Sequence, residues 1–144
     1  MTAVDAHDTV PAETVLAALR EARVAEKAQT IFYRALAAEA EEAGDPATAE
    51  RLNGLLADEQ HHLSRLTARL LEWGQPIPDM RGANGLPDLP RWEAVARERE
   101  RAEIARYEKL LELALDERTR RMIGEFLDAE RNHAQSLGGK WMGA

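Results

Sequence analysis

Residues 56–62 read Leu-Ala-Asp-Glu-Gln-His-His, and residues 127–133 read Leu-Asp-Ala-Glu-Arg-Asn-His. Both stretches contain a glutamate that is followed three residues later by a histidine. Because residues three apart share one face of a helix, each pair presents a carboxylate and an imidazole together. The repeated motif therefore predicts two helices that point the same chemical groups at one site. The pairs are Glu59 with His62 and Glu130 with His133.

The first copy has a second reading, because Asp58 and His61 are also three residues apart. Alignment with the second copy selects Glu59 and His62, and it leaves His61 as a surface histidine. A lone glutamate precedes each motif on an earlier helical stretch: Glu26 before the first and Glu100 before the second. The chain thus reads as one helix pair that occurs twice.

Apolar residues recur at three- and four-residue steps, which is typical of helices that bury one face. Gly44-Asp45-Pro46 is a stop-and-restart signal, in which Gly44 ends one helix, Asp45 caps the next and Pro46 begins it. Asp116 is expected to form a turn or a cap. The predicted helices run from about 14–43, 46–73, 91–115 and 117–137.

Residues 74–90 contain four of the six prolines and three glycines, so they cannot form a helix. Extended, these residues could span up to roughly 55 Å, more than the roughly 40 Å of a 27-residue helix. The predicted fold is an all-α four-helix bundle, two antiparallel helix pairs joined by a long crossover. The bundle occupies 11–138 with its crossover at 74–90, an N-terminal tail at 1–10 and a C-terminal tail at 139–144.

The four glutamates are predicted to meet at one height. Glu26 and Glu59 lie roughly 27 and 22 Å from the Gly44 turn, and the second pair lies roughly 24 and 21 Å from Asp116. An unpaired carboxylate in the middle of a bundle is costly, and a bound metal pair removes that cost. The alternative is a metal-free bundle whose glutamates are solvated. Carboxylates with two imidazoles and no thiolate favour iron or manganese over structural zinc. Such a site suits two-electron chemistry with dioxygen or hydrogen peroxide.

Three more residues lie on the predicted ligand faces. Glu103 is one turn beyond Glu100, whereas helix one has Gln29 at the matching position. Glu103 is therefore either a seventh ligand or a glutamate that lies behind the ligands or on the surface. Tyr33 and Tyr107 follow Glu26 and Glu100 by seven residues each. These tyrosines either hydrogen-bond to ligating carboxylates or are ordinary core residues.

This pattern, with its long central crossover, resembles the ferritin-like superfamily and is most similar to the rubrerythrin family. The resemblance covers about 14–138 and implies a di-iron oxidoreductase, a peroxidase or ferroxidase. It also implies that Glu103 and His62 exchange as iron ligands when the oxidation state changes. The chain departs from rubrerythrins with a rubredoxin domain in having no cysteine, so turnover needs an external electron donor. Iron storage without turnover and a di-iron hydroxylase are the alternative functions.

The amino-acid composition limits the classes of binding partner and the location that we expect for this protein. The 144 residues carry 19 Lys and Arg against 26 Asp and Glu, a formal charge of −7. The sequence contains no block of basic residues, so nucleic-acid binding is not expected. We expect no signal peptide, no membrane span and a cytoplasmic location. Two-helix repeats of this kind pack readily, so a homodimer is expected.

Overall fold

A computed structural model describes residues 9–78 and 88–137. Its described part contains four α-helices and no strand, as the sequence predicts. The predicted tails, except residues 9 and 10, and the middle of the crossover lie outside the described residues. A single 3₁₀ turn, Leu89–Arg91, leads into the third helix. The helices are α1 Glu13–Glu42, α2 Pro46–Glu72, α3 Trp92–Leu111 and α4 Glu117–Ser136.

The turn between α1 and α2 has the predicted chemistry. Gly44 adopts a φ of +73°, a left-handed conformation that glycine reaches without a steric penalty. The Asp45 carboxylate accepts a hydrogen bond from the backbone N–H of Thr48 at 3.2 Å, and Pro46 starts α2. This cap satisfies a donor at the start of α2 that has no partner within the helix.

Helix α3 ends at Leu111, four residues before the predicted end at Leu115. The Arg120 guanidinium, from α4, donates to the carbonyl oxygens of Leu111 and Leu113 at 2.9 Å each. These bonds satisfy carbonyls at a helix end that would otherwise lack partners, so the chain can leave the helix early. Asp116 then caps α4 by accepting from the backbone N–H of Thr119 at 3.1 Å.

Two apolar clusters show how the helices are arranged. One joins the start of α1 to the ends of α2 and α3 and the start of α4, through Leu19, Leu70, Leu110 and Ile123 among others. The other joins the opposite ends. Helix α3 therefore runs parallel to α2, and the crossover must return along the length of the bundle. None of the described helices is long and apolar enough to cross a membrane.

Candidate metal centre

Buried charged groups occupy the layer between the two apolar clusters. Glu26, Glu59, Glu100 and Glu130, one from each helix, are all 0% exposed. His62 and His133 retain 3% and 7% exposure. The structure thus brings the two Glu-x-x-His motifs and the two upstream glutamates into one layer, at the height that helix geometry predicts.

The first group of potential ligands contains Glu26, Glu59, His62 and Glu130, each offering one atom within 4.8 Å of the others. His62 Nδ1 lies 3.0 Å from Glu26 Oε2, 3.4 Å from Glu59 Oε1 and 3.7 Å from Glu130 Oε1. We call this the His62 group. Its single imidazole nitrogen faces three carboxylates, which is a donor set that can hold a metal ion.

The second group contains Glu59, Glu100, Glu130 and His133, within the same 4.8 Å limit. His133 Nδ1 lies 3.2 Å from Glu130 Oε1, 3.6 Å from Glu100 Oε2 and 3.9 Å from Glu59 Oε1. We call this the His133 group. Glu59 and Glu130 belong to both groups, so the groups are adjacent and share two carboxylates.

Glu103 lies beside these groups but belongs to neither. It is buried at 3% exposure, and its Oε1 accepts a hydrogen bond from the Arg106 guanidinium at 2.7 Å. Its charge also contributes to the raised pKa of Glu26, of which burial is the larger cause, so the two carboxyl groups lie close together. Six of the seven predicted ligands therefore form the two groups, and Glu103 stands next to the His62 group. A role for Glu103 as a ligand stays a prediction.

The two predicted tyrosines are both fully buried, but their hydroxyl groups differ. Tyr33 donates to Glu100 Oε1 at 2.7 Å. The Tyr107 hydroxyl has no hydrogen-bond partner among the described residues, although the charges of Glu26 and Glu103 help to raise its pKa. Burial is the larger cause of the raised pKa of both tyrosines, so both remain neutral donors.

The buried carboxylates shift one another's proton affinity. Burial, followed by the charge of Glu59, raises the pKa of Glu26 and of Glu130 far above the usual range. Burial acts to lower the pKa of His133, but Glu100 and Asp58 outweigh it and raise that pKa to about 9. The metal-free protein therefore holds protons in this layer that divalent cations would displace.

Unsatisfied atoms support a metal centre at this place. Buried polar atoms normally have hydrogen-bond partners, and exceptions call for an explanation. Nine buried side-chain atoms in the described residues have none, and seven of them belong to Glu26, Glu59, Glu100, Glu103, Glu130 and His133. These are oxygens and an imidazole nitrogen that face the layer, and metal coordination is the bonding they are suited to accept.

Besides Tyr33, two residues outside the predicted ligand set contact the cluster. Asp58 Oδ2 lies 2.8 Å from His133 Nε2, the nitrogen that points away from the layer. Gln29 Nε2 lies 3.3 Å from Glu59 Oε2 and 3.3 Å from Glu100 Oε1. Gln29 was visible in the sequence as the counterpart of Glu103, and Asp58 was visible only as part of the alternative register.

The histidines also mark where the cluster comes closest to solvent. A groove of about 270 Å³ between α2 and α4 is lined by His62, His133, Asp58 and the exposed His61, among others. A larger cleft of about 540 Å³ at the α1–α2 turn has no buried titratable group in its lining. The histidine groove therefore connects the buried layer with solvent at His62 and His133.

Comparison with known proteins gives one match. A family model described as Ferritin-like domain matches residues 1–73, half of the chain, which include Glu26, Glu59 and His62. No curated protein and no solved structure matches the chain.

Proposed function

We propose that this chain, which belongs to the ferritin-like domain family, is a di-iron oxidoreductase of the rubrerythrin type. The observation that carries the proposal is the pair of adjacent ligand groups that share Glu59 and Glu130. The His62 group would hold one ion and the His133 group the other. When bound, a pair of iron ions would supply two electrons to hydrogen peroxide or dioxygen.

The combined charge of the glutamates supports the binding of two divalent cations. The four glutamates of the two groups carry four negative charges when ionised, which two divalent ions neutralise. Glu103 would add a fifth negative charge, and its contact with Arg106 at 2.7 Å offsets that charge. Two imidazoles and no thiolate favour iron or manganese over structural zinc.

The limited access from solvent to the two ligand groups favours small oxidants as substrates over organic molecules. The residues of the two groups are at most 7% exposed, and the groove beside the histidines holds about 270 Å³. Pockets for drug-sized ligands usually occupy about 300–1,000 Å³ and enclose most of the ligand. Hydrogen peroxide and dioxygen fit such a groove easily, so a peroxidase or ferroxidase is favoured over a hydroxylase.

The ligand exchange implied by the rubrerythrin resemblance is part of the proposal. Glu103 lies beside Glu26, and His62 Nδ1 lies 3.0 Å from Glu26 Oε2, so both are next to the same ligand position. Glu103 Oε1 accepts from Arg106 at 2.7 Å, while its Oε2 has no hydrogen-bond partner and is available to a metal ion. No cysteine occurs in these 144 residues, so the electrons would come from a donor outside them.

Metal analysis is the first test. Protein produced with iron should contain two iron ions per chain, and Glu130→Ala should lose both because Glu130 belongs to both groups. Far-UV circular dichroism would check that the variant remains helical. A wild-type chain without metal, or a folded Glu130→Ala variant with two ions, would overturn the proposal.

Rapid mixing of the ferrous protein with hydrogen peroxide or with dioxygen is the second test. Fast oxidation by peroxide indicates a peroxidase, and fast oxidation by dioxygen with added ferrous iron indicates a ferroxidase. Slow reaction with both would leave iron binding without turnover. Light scattering should give the mass of a homodimer of the 16.1-kDa chain, whereas a large cage would favour storage.

A further inference from the structure

Gln29 occupies the position on α1 that corresponds to Glu103 on α3. Each residue follows a cluster glutamate by three positions: Gln29 follows Glu26, and Glu103 follows Glu100. Both are buried, Gln29 at 2% exposure. The two helix pairs therefore place an amide on one side of the layer and a carboxylate on the other.

Arg99 fixes the direction of the Gln29 amide. Arg99 Nε donates to Gln29 Oε1 at 2.6 Å, and the guanidinium lies 4.4 Å from the centre of the Phe32 ring. Because a guanidinium can only donate, the amide oxygen must face Arg99 and the amide NH₂ must face the cluster. The amide therefore donates to Glu59 and Glu100 and cannot accept from them.

This arrangement decides which carboxylate oxygens remain for a metal. Glu100 Oε1 accepts from both Gln29 and Tyr33, while Glu100 Oε2 has no hydrogen-bond partner and lies 3.6 Å from His133 Nδ1. Glu59 Oε2 accepts from Gln29, and Glu59 Oε1 has no hydrogen-bond partner. Two of the three carboxylates of the His133 group, Glu59 and Glu100, thus keep one oxygen free of hydrogen bonds, whereas both oxygens of Glu130 are free.

The His62 group has less of this support, because Gln29 donates to the shared Glu59 but to no other carboxylate of this group. Glu26 Oε1 and the Tyr107 hydroxyl have no hydrogen-bond partner among the described residues. Glu103 stands next to Glu26 with its Oε2 also without a partner. This side therefore has an additional carboxylate in reach, whereas the His133 side has neutral donors that hold its ligands.

We infer that Gln29, oriented by Arg99, is a positioning residue that makes the two metal positions unequal. It organises the His133 group in advance, so that this position binds the first and tighter metal ion. Because Gln29 is an amide, the His133 group also lacks an additional carboxylate of the kind that Glu103 provides beside the His62 group. The inference rests on the proposed function, since it requires two bound ions.

Anaerobic titration with Co²⁺, followed by calorimetry and by the visible absorption of the bound ion, tests this inference. The wild-type protein should bind two equivalents in two separate steps. Gln29→Met keeps the length of the side chain but removes both donors. It should weaken the tighter step by about 10–100-fold, the usual effect of losing a residue that supports a ligand, and shift the weaker step less, because the two groups share only Glu59 among the carboxylates that Gln29 contacts. Gln60→Met, on the exposed face of α2, is the matched control and should match wild type.

Gln29→Glu decides the case if Gln29→Met does not fold. It retains an acceptor for Arg99 and supplies the His133 group with its own extra carboxylate, so the two steps should merge, whereas Gln60→Glu should leave them apart. Steps that stay separate in Gln29→Glu, or shift equally in Gln29→Met, would overturn the inference and leave the proposed function standing. A wild-type protein that binds fewer than two ions would instead overturn the proposed function.

Discussion

The two histidines of the candidate metal centre differ in what holds their outer nitrogen. His133 Nε2 contacts Asp58 Oδ2 at 2.8 Å. The residue that corresponds to Asp58 in the second motif is Ala129, so the chain offers His62 no equivalent carboxylate there. A carboxylate on the outer nitrogen fixes the ring and increases the basicity of the inner nitrogen. Asp58 therefore supports the His133 group from outside, as Gln29 does from inside.

Asp58→Ala should weaken metal binding at the His133 group. We expect a loss of about tenfold, the low end for a residue that supports a ligand, because Asp58 is largely exposed and water can replace its oxygen. Competition titration with a Co²⁺ chelator would measure the change. Asp128→Ala, an exposed aspartate on α4, is the control. Equal affinities for wild type and Asp58→Ala would contradict the assigned role.

Adjacent histidines on α2 should have opposite importance for metal binding. His62→Ala removes a buried nitrogen that faces three carboxylates, so we expect it to lose at least one of the two bound ions. His61→Ala alters an exposed ring whose centre is 6.3 Å from that of His62, so it should keep both ions. Metal analysis of the two purified variants checks this, and the reverse result would restore the register of Asp58 with His61.

The predicted ligands and their supporting residues differ in how far the sequence reveals them. Glu59 and His62 were predictable because helix spacing fixes their face and the second motif fixes their register. The contact between Asp58 and His133 joins residues 75 positions apart, and that between Arg99 and Gln29 joins residues 70 apart. Such contacts depend on side-chain directions across two helices, which no local pattern in the sequence encodes.

At the scale of the helices, one buried arginine ties the end of α2 to the turn before α4. Arg69 is 3% exposed and donates to Glu72 at 2.8 Å, to Asp116 at 2.9 Å and to Thr119 Oγ1 at 3.2 Å. Asp116 is also the cap of α4. A single carboxylate thus stabilises a helix start and a buried charge together.

Asp116→Ala should therefore destabilise the protein more than Asp45→Ala. Loss of the Asp45 cap, on an exposed turn, removes one backbone hydrogen bond that water can replace, so its cost should be the smaller of the two. Loss of Asp116 removes a cap and one carboxylate partner of buried Arg69, and should cost about 2–4 kcal/mol. Urea denaturation followed by circular dichroism would measure both free energies of unfolding. Equal costs would show that the contact with Arg69 adds nothing.

Helix starts were easier to predict than helix ends. Asp45 and Asp116 indicate the starts of α2 and α4 in the sequence, because a cap is a local interaction between residues three positions apart. The end of α3 at Leu111 depends on Arg120, which lies nine positions later on another helix. The predicted end at Leu115 was wrong for that reason.

At the scale of the whole molecule, the fold is two similar helix pairs placed around one charged layer. The direction of α3 requires a crossover along the bundle, and this was predictable because residues 74–90 are rich in proline and glycine and long enough. The family match ends at Trp73, yet α3 and α4 supply Glu100, Glu130 and His133 to the same layer. The two helix pairs agree in their candidate ligands. They differ in Gln29, Glu103 and Asp58, which contact or adjoin those residues.

The charged layer should also make the stability of the metal-free protein depend on pH. Burial and neighbouring glutamates raise the pKa of Glu130 above its ordinary 4.5, and the pKa of His133 rises to about 9. A group with a raised pKa in the folded state stabilises the fold below its unfolded pKa, and this contribution is lost as the pH rises toward the folded value. The Tm of the metal-free protein should therefore fall as pH increases from about 4.5 to about 9.

Metal-loaded protein should show a smaller slope, because coordinated groups have already released their protons. Calorimetry at constant ionic strength measures both slopes, and Glu130→Gln should flatten that of the metal-free protein. A Tm that rises with pH over this range would show that the layer is not protonated as its burial requires.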